Sequence, residues 1–183
     1  MEEPVGALSY VMKCYNPAWS NARAKGRINL QTVARRSSVE HLLPLTSHAN
    51  LAFRSDEQYF EMLTRVIFLT GFSAHVVNKR WSAFRTAFDC FALDAVASYD
   101  DERFEQLLSI QSGIVRNARK VKATIENAKR CIALRNHYGS LHAFFSDALC
   151  LDGEGAVKVF ARTFAQMGES AALVFYHMLE REA

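Results

Sequence analysis

No proline occurs between Leu45 and Ala183; Pro4, Pro17 and Pro44 all precede that stretch. Proline removes a backbone donor and clashes with the preceding helical turn, so a long stretch without it is open to continuous helices. The apolar residues use that freedom at helical spacing. Val77, Trp81, Phe84 and Phe88 step by four, three and four, and so do Val121, Ile125, Ala128 and Ile132. Half of the 183 residues are hydrophobic and thirteen are Phe, enough for a sizeable core in a single domain spanning 1–183. The expected fold is an all-α bundle of about eight to ten helices with no sheet. The apolar runs are broken by polar residues well short of membrane-spanning length, so no membrane partner is expected. MEEPVGALSYVMK begins with two acids and lacks the order of a signal peptide. Cys14, Cys90, Cys131 and Cys150 lie far apart without CxxC pairing, which predicts isolated reduced thiols in an intracellular protein.

Along the chain, residues 18–43 read as helical, with Arg23, Lys25, Arg27, Arg35 and Arg36 and a candidate break at Gly26. HLLPLTSHAN is a connector, and Ser55 or Asp56 is a candidate N-cap. Tyr59 to Thr70 is apolar almost all round, which predicts the most buried helix of the bundle, ended or bent by Gly71. Asp100-Asp101-Glu102 suits a helix N-terminus, and Gly139 ends a later helix. Leu141–Leu149 is a short helix and DGEG a loop. The stripe Val157, Phe160, Ala161, Phe164 and, after Gly168, the stripe Ala172, Phe175, Tyr176, Leu179 complete the chain.

Charge is concentrated in one place. From Gly113 to Arg135 there are seven basic residues (Arg116, Arg119, Lys120, Lys122, Lys129, Arg130, Arg135) against Glu126. The segment is +6 in a chain of +3, so the rest is acidic by −3. Such a stripe is the electrostatic footprint of a surface that meets phosphates, although a solvated helix face carries the same pattern. The SGIV turn at its head favours phosphate: helix, glycine turn and second helix present N–H groups to an anion.

Three segments in order resemble the DNA-3-methyladenine glycosylase I family of the helix-hairpin-helix superfamily. They are FEM with GFS and KRWSAF (Gly71, Phe72, Ser73, Lys79, Arg80, Phe84), the acidic start DDERFEQLL, and GIVRNARKVKATIENAK. The last is close to the family's Gly-Ile-Ile/Val-Arg-(His/Asn)-x-x-Lys-(Ile/Val)-x-Ala-x-x-x-Asn-Ala-(Arg/Lys). The match covers roughly Asp56 to Arg135; YGSLHAFF and FARTFAQMGESAALVFYHML match more faintly, and residues 1–55 match poorly. The resemblance implies an all-α fold with a helix-hairpin-helix over roughly 103–125. It implies that the hairpin holds double-stranded DNA through phosphates, using Gly113, Arg116, Asn117, Arg119, Lys120 and Lys122. It further implies a monomeric, cytoplasmic bacterial enzyme of base-excision repair, associated with the nucleoid when on DNA. Such an enzyme hydrolyses the N-glycosidic bond of an alkylated purine, chiefly 3-methyladenine, without a cofactor. The chemistry has its own logic: a base is reached only when flipped from the stack, and a cationic alkylated base is already a good leaving group.

The sequence departs from the family where the base is read. The family's Glu, five positions before Gly71, is Val66, and its stacking Trp, three after, is Ala74. Losing the carboxylate removes an acceptor for the base's amino group and negative charge facing a cationic ligand, each about 1–3 kcal/mol of recognition by the usual cost of an unmade buried hydrogen bond. Val66, Phe72, Ala74 and His75 are the expected pocket-lining positions. Val66 and Ala74 read more readily as ordinary core residues, and His75, which could stack on or hydrogen-bond a base, reads more often as a satisfied structural histidine. No catalytic acid or base is assigned. The family's zinc clip has no counterpart, since His177 lacks a following cysteine and Cys14 a nearby histidine, so no metal is expected. Two other readings remain: a DNA-binding pseudoenzyme that has lost excision, and a helical module whose basic stripe meets an acidic protein.

Overall fold

The computed structural model describes Leu51 and residues 53–181; the expected helical stretch 18–43, the connector HLLPLTSHAN and Cys14 lie outside the described residues. Among the described residues nine α-helices follow one another: α1 Asp56–Leu69, α2 Ala74–Lys79, α3 Trp81–Ala87, α4 Leu93–Ala97, α5 Asp101–Leu108, α6 Ala118–Tyr138, α7 Leu141–Leu149, α8 Gly153–Thr163 and α9 Glu169–Arg181. Single 3₁₀ turns at Asp89–Phe91 and Ile110–Ser112 join α3 to α4 and α5 to α6. The described residues contain no strand, and no helix among them is long and apolar enough to cross a membrane.

α1 begins with a capping box. The Ser55 hydroxyl accepts from the Gln58 amide at 3.3 Å, and the Gln58 side chain accepts from the Ser55 amide at 2.9 Å. The helix is apolar on every side because aromatic rings lie on both sides of it. Phe60 and Phe68 meet Phe91 and Phe84 at 5.9 and 4.6 Å, while Tyr59 meets Phe145 at 4.9 Å. Leu63 and Ile67 are buried as expected. α6 is the second central element, packed against α1, α4, α5 and α7, and α9 closes over α1 and α8.

Two expectations need correction. Val77, Trp81, Phe84 and Phe88 are all buried, but on two helices rather than one. The Arg80 amide donates to Val77 rather than to the residue four back, which tightens the turn and splits α2 from α3. Side-chain periodicity cannot see one tightened turn. DGEG is not a loop but the start of α8. Asp152 is its N-cap, accepting from the Gly155 amide at 2.7 Å. A Cβ on Gly155 would come within 2.8 Å of that carboxylate, so glycine here permits the cap.

Between α3 and α4, Asp89, Cys90 and Phe91 all have positive φ (48°, 53° and 62°), a strained run for residues with side chains. It is held from outside. Phe91 is buried, the Tyr99 hydroxyl donates to Asp89 at 2.6 Å, and Arg103 donates to the Ala87 carbonyl at 2.8 Å. Burial and the neighbouring Asp89 carboxylate push the Tyr99 pKa upward, so the phenol keeps its proton for that bond.

Candidate nucleic-acid interface

α5 starts at Asp100, whose carboxylate accepts from the Arg103 amide at 2.8 Å. After the 3₁₀ turn at Ile110–Ser112 the chain reverses at Gly113, with φ +71°. A Cβ there would also stand 3.1 Å from the Ala83 Cβ of α3. Both the backbone angle and the close approach call for glycine. Ile114 and Val115 are buried and anchor the turn, leaving Arg116 on the surface. Asn117 caps α6, its Oδ1 accepting from the Lys120 amide at 3.1 Å. Asn117, expected among the DNA contacts, thus spends that oxygen on the helix. The amides of Ala118 and Arg119 have no carbonyl one turn back and remain to meet an anion. We expect Gly113→Ala to cost about 1–2 kcal/mol from the left-handed backbone alone. A urea midpoint unchanged from wild type would show that the turn relaxes without cost.

Tertiary contacts sort the seven cations of this segment into two groups. Arg130 pairs with Glu126 at 3.0 Å and donates to the Thr163 carbonyl at 2.8 Å, and Arg135 pairs with Asp94 at 3.1 Å. Arg116, Arg119, Lys122 and Lys129 are exposed and form no ion pair among the described residues. Three of those four stand at the turn and on the first turns of α6.

Lys120 behaves differently from its neighbours. Its Nζ donates to the Ile67 carbonyl at 2.6 Å and to the Thr70 carbonyl, and lies 5.0 Å from the Phe72 ring centroid. These are the last carbonyls of α1, which has no basic residue in its own last turn. Lys120 supplies the missing positive charge to the negative end of that helix dipole. Burial lowers its pKa, while two carbonyl acceptors favour the ammonium. Expected as a phosphate contact, Lys120 instead ties the basic turn to the Gly71–Phe72 corner.

Residues 50–174 match the methyladenine glycosylase family. The chain belongs to that family. Among solved structures, a 3-methyladenine DNA glycosylase I is 22% identical with a TM-score of 0.62, over 73% of this chain and 82% of that one. The enzyme from Staphylococcus aureus, described for its recognition of 3-methyladenine, is 16% identical with a TM-score of 0.60, over 73% and 79%. A variant of 3-methyladenine DNA glycosylase I in complex with 3-methyladenine is also 16% identical, with a TM-score of 0.61 over 73% and 80%. At these identities the likeness to solved structures is one of fold.

In this member of the family the expected pocket positions are unevenly placed. Val66 is 1% exposed within the core, and its carbonyl accepts from both the amide and the hydroxyl of Thr70 at 3.1 and 3.0 Å. Phe72 is half-buried beside Lys120, whereas Ala74 and His75 stand exposed on the first turn of α2. Phe72 is thus brought to the basic turn, while Val66 lies in the core and Ala74 and His75 on the surface. Glu61, the carboxylate preceding Val66 on α1, accepts from the Trp81 indole at 2.8 Å and faces Arg85 at 3.6 Å. It is engaged in packing.

Two residues of consequence were legible in the sequence only as motif positions, without their partners. Asn127 is fully buried, donating to the Ala165 carbonyl at 3.1 Å and accepting from its amide at 2.7 Å. Its place in the Asn-Ala-Lys run was legible, but its partner was not. Arg80 donates to the Ile114 carbonyl at 3.4 Å across 34 residues of sequence. No local pattern announces that contact.

Proposed function

We propose that this protein holds double-stranded DNA by its backbone at the α5–α6 turn and releases cationic alkylated purines, with 3-methyladenine the leading substrate. The observation that carries the reading is the group of exposed cations Arg116, Arg119 and Lys122 around the capped start of α6, which form no ion pair among the described residues. Membership of the methyladenine glycosylase family supports the substrate class. Phosphate contacts set position and bulk affinity, and the hairpin supplies them without reading sequence.

The chemistry asks little of the protein. When the bond from C1′ to the purine nitrogen breaks, its electron pair neutralises the positive charge of the alkylated ring, and water adds at C1′ and loses a proton. A normal or deaminated base lacks that charge and leaves poorly. This suits a region where Val66 replaces the family's carboxylate and Glu61 is held by Trp81.

Purified protein incubated with methylated DNA is expected to release 3-methyladenine above the spontaneous background and to leave normal and deaminated bases in place. Replacing Arg116 and Arg119 together by Ala is expected to weaken binding about equally for all sequences and to reduce the salt slope by roughly two. An unchanged slope would mean that these side chains are only solvated. The burial of Val66 favours a second reading, a DNA-binding protein without excision. Salt-sensitive binding with no base released at any protein concentration would establish it.

A further inference from the structure

The α2–α3 corner carries charge that the basic turn does not account for. Four cations lie on α1–α3 between Arg65 and Arg85, and two of them are engaged. Arg65 donates to Asn78 at 2.9 Å and lies 5.3 Å over the Trp81 ring, while Arg85 faces Glu61. Lys79 and Arg80 are exposed and form no ion pair among the described residues. Lys79 closes α2, and Arg80 is the residue at which α2 breaks from α3.

That break is packed directly against the turn. One guanidinium nitrogen of Arg80 donates to the Ile114 carbonyl, and Ala83, three residues on, is the close neighbour of Gly113. A guanidinium has five N–H donors in a fixed fork, so a single carbonyl leaves most of them for another acceptor. At the corner and the turn, Lys79, Arg80, Arg116 and Arg119 form no ion pair among the described residues. Of the acids of α5, Asp101 and Glu102 sit in its first turn and Glu105 is exposed further along, and Glu126 of α6 is occupied by Arg130.

We propose that the DNA-binding surface extends from the turn onto the α2–α3 corner, where Lys79 and Arg80 contact backbone phosphates next to those held by Arg116 and Arg119. This rests on the DNA-binding reading above. It adds a contact point on a separate element, so that DNA is held across the seam between α3 and the turn. Arg80 joins the two halves, hydrogen-bonded to the turn on one side and facing phosphate on the other.

The test measures binding of the full chain to a labelled random-sequence duplex by fluorescence anisotropy over a range of salt, with circular dichroism to check folding. Lys79→Ala is expected to lower the salt slope by about one, and Lys79→Ala with Arg80→Ala by about two, with helical content unchanged. Lys79 forms no hydrogen bond or ion pair with the turn among the described residues, so its effect is separable from support of the hairpin. A lower slope for Arg80→Ala with Lys79→Ala unchanged would make Arg80 a prop of the turn and overturn the proposal. Wild-type slopes for both corner variants, with a reduced slope for the Arg116 and Arg119 pair, would overturn it while leaving the turn as the DNA contact. Absence of salt-sensitive binding by the wild-type chain would sink both readings.

Discussion

Phe145→Ala is expected to lower the unfolding free energy by about 3–5 kcal/mol, the usual cost of deleting a buried ring and leaving its cavity. Phe145 is fully buried on α7 at the meeting point of five aromatic rings. Their centroids lie 4.9 Å away for Tyr59, 5.1 Å for Phe144, 5.3 Å for Phe175, 5.7 Å for Phe160 and 6.1 Å for Phe164. These rings come from α1, α7, α8, α9 and the end of α8, so no single helix can shift to fill the space. For a protein of this size the melting temperature should fall by on the order of 10 °C. Phe53→Ala, at a ring that is 83% exposed, should change stability by less than about 0.5 kcal/mol. A Phe145→Ala variant within about 1 kcal/mol of wild type in urea unfolding would contradict the shared ring cluster.

Asn127→Ala is expected to cost about 2–4 kcal/mol. Truncation leaves both the amide and the carbonyl of Ala165 without the partner they have in the folded state, at about 1–3 kcal/mol each. Those bonds, with the one from Arg130 to Thr163, fasten the segment between α8 and α9 to α6. In that segment Gln166 adopts φ +57°, while Phe164 and Met167 reach into the core. Asn127→Asp separates hydrogen bonding from packing. An aspartate still accepts from the Ala165 amide but cannot donate to its carbonyl, and burial disfavours its charge, so its pKa is raised on folding. Stability should therefore be low at neutral pH and recover in part as pH falls and the carboxyl gains a proton. A denaturation midpoint for Asn127→Asp that does not rise on acidification would argue against the paired hydrogen bonds.

Local rules and tertiary contacts divide this protein between them. Helix starts and stops were legible because they are decided within one turn of chain: Ser55 and Asp100 as caps, the bend at Gly71, the end at Gly139 and the span Leu141–Leu149. The central place of Tyr59–Thr70 was legible too, since a helix apolar on every side has nowhere else to go. The break at Arg80 was not, because two short helices and one long one bury the same residues. The glycines of DGEG read as a loop because their loop propensity is local, whereas the space that Asp152 needs beside Gly155 is a matter of geometry.

The site divides in the same way. Composition and spacing alone locate a glycine turn followed by a basic helix. Which of those charges face outward was decided only by folding. A charge is neutralised by whatever lies beside it in space. Lys120 finds its carbonyl 53 residues away, Arg135 its aspartate 41 away and Arg130 its carbonyl 33 away. Read linearly, the segment is one continuous stripe. In the folded protein three of its cations are turned to internal work, and Arg80, 34 residues upstream of Ile114, joins the turn from the break between α2 and α3.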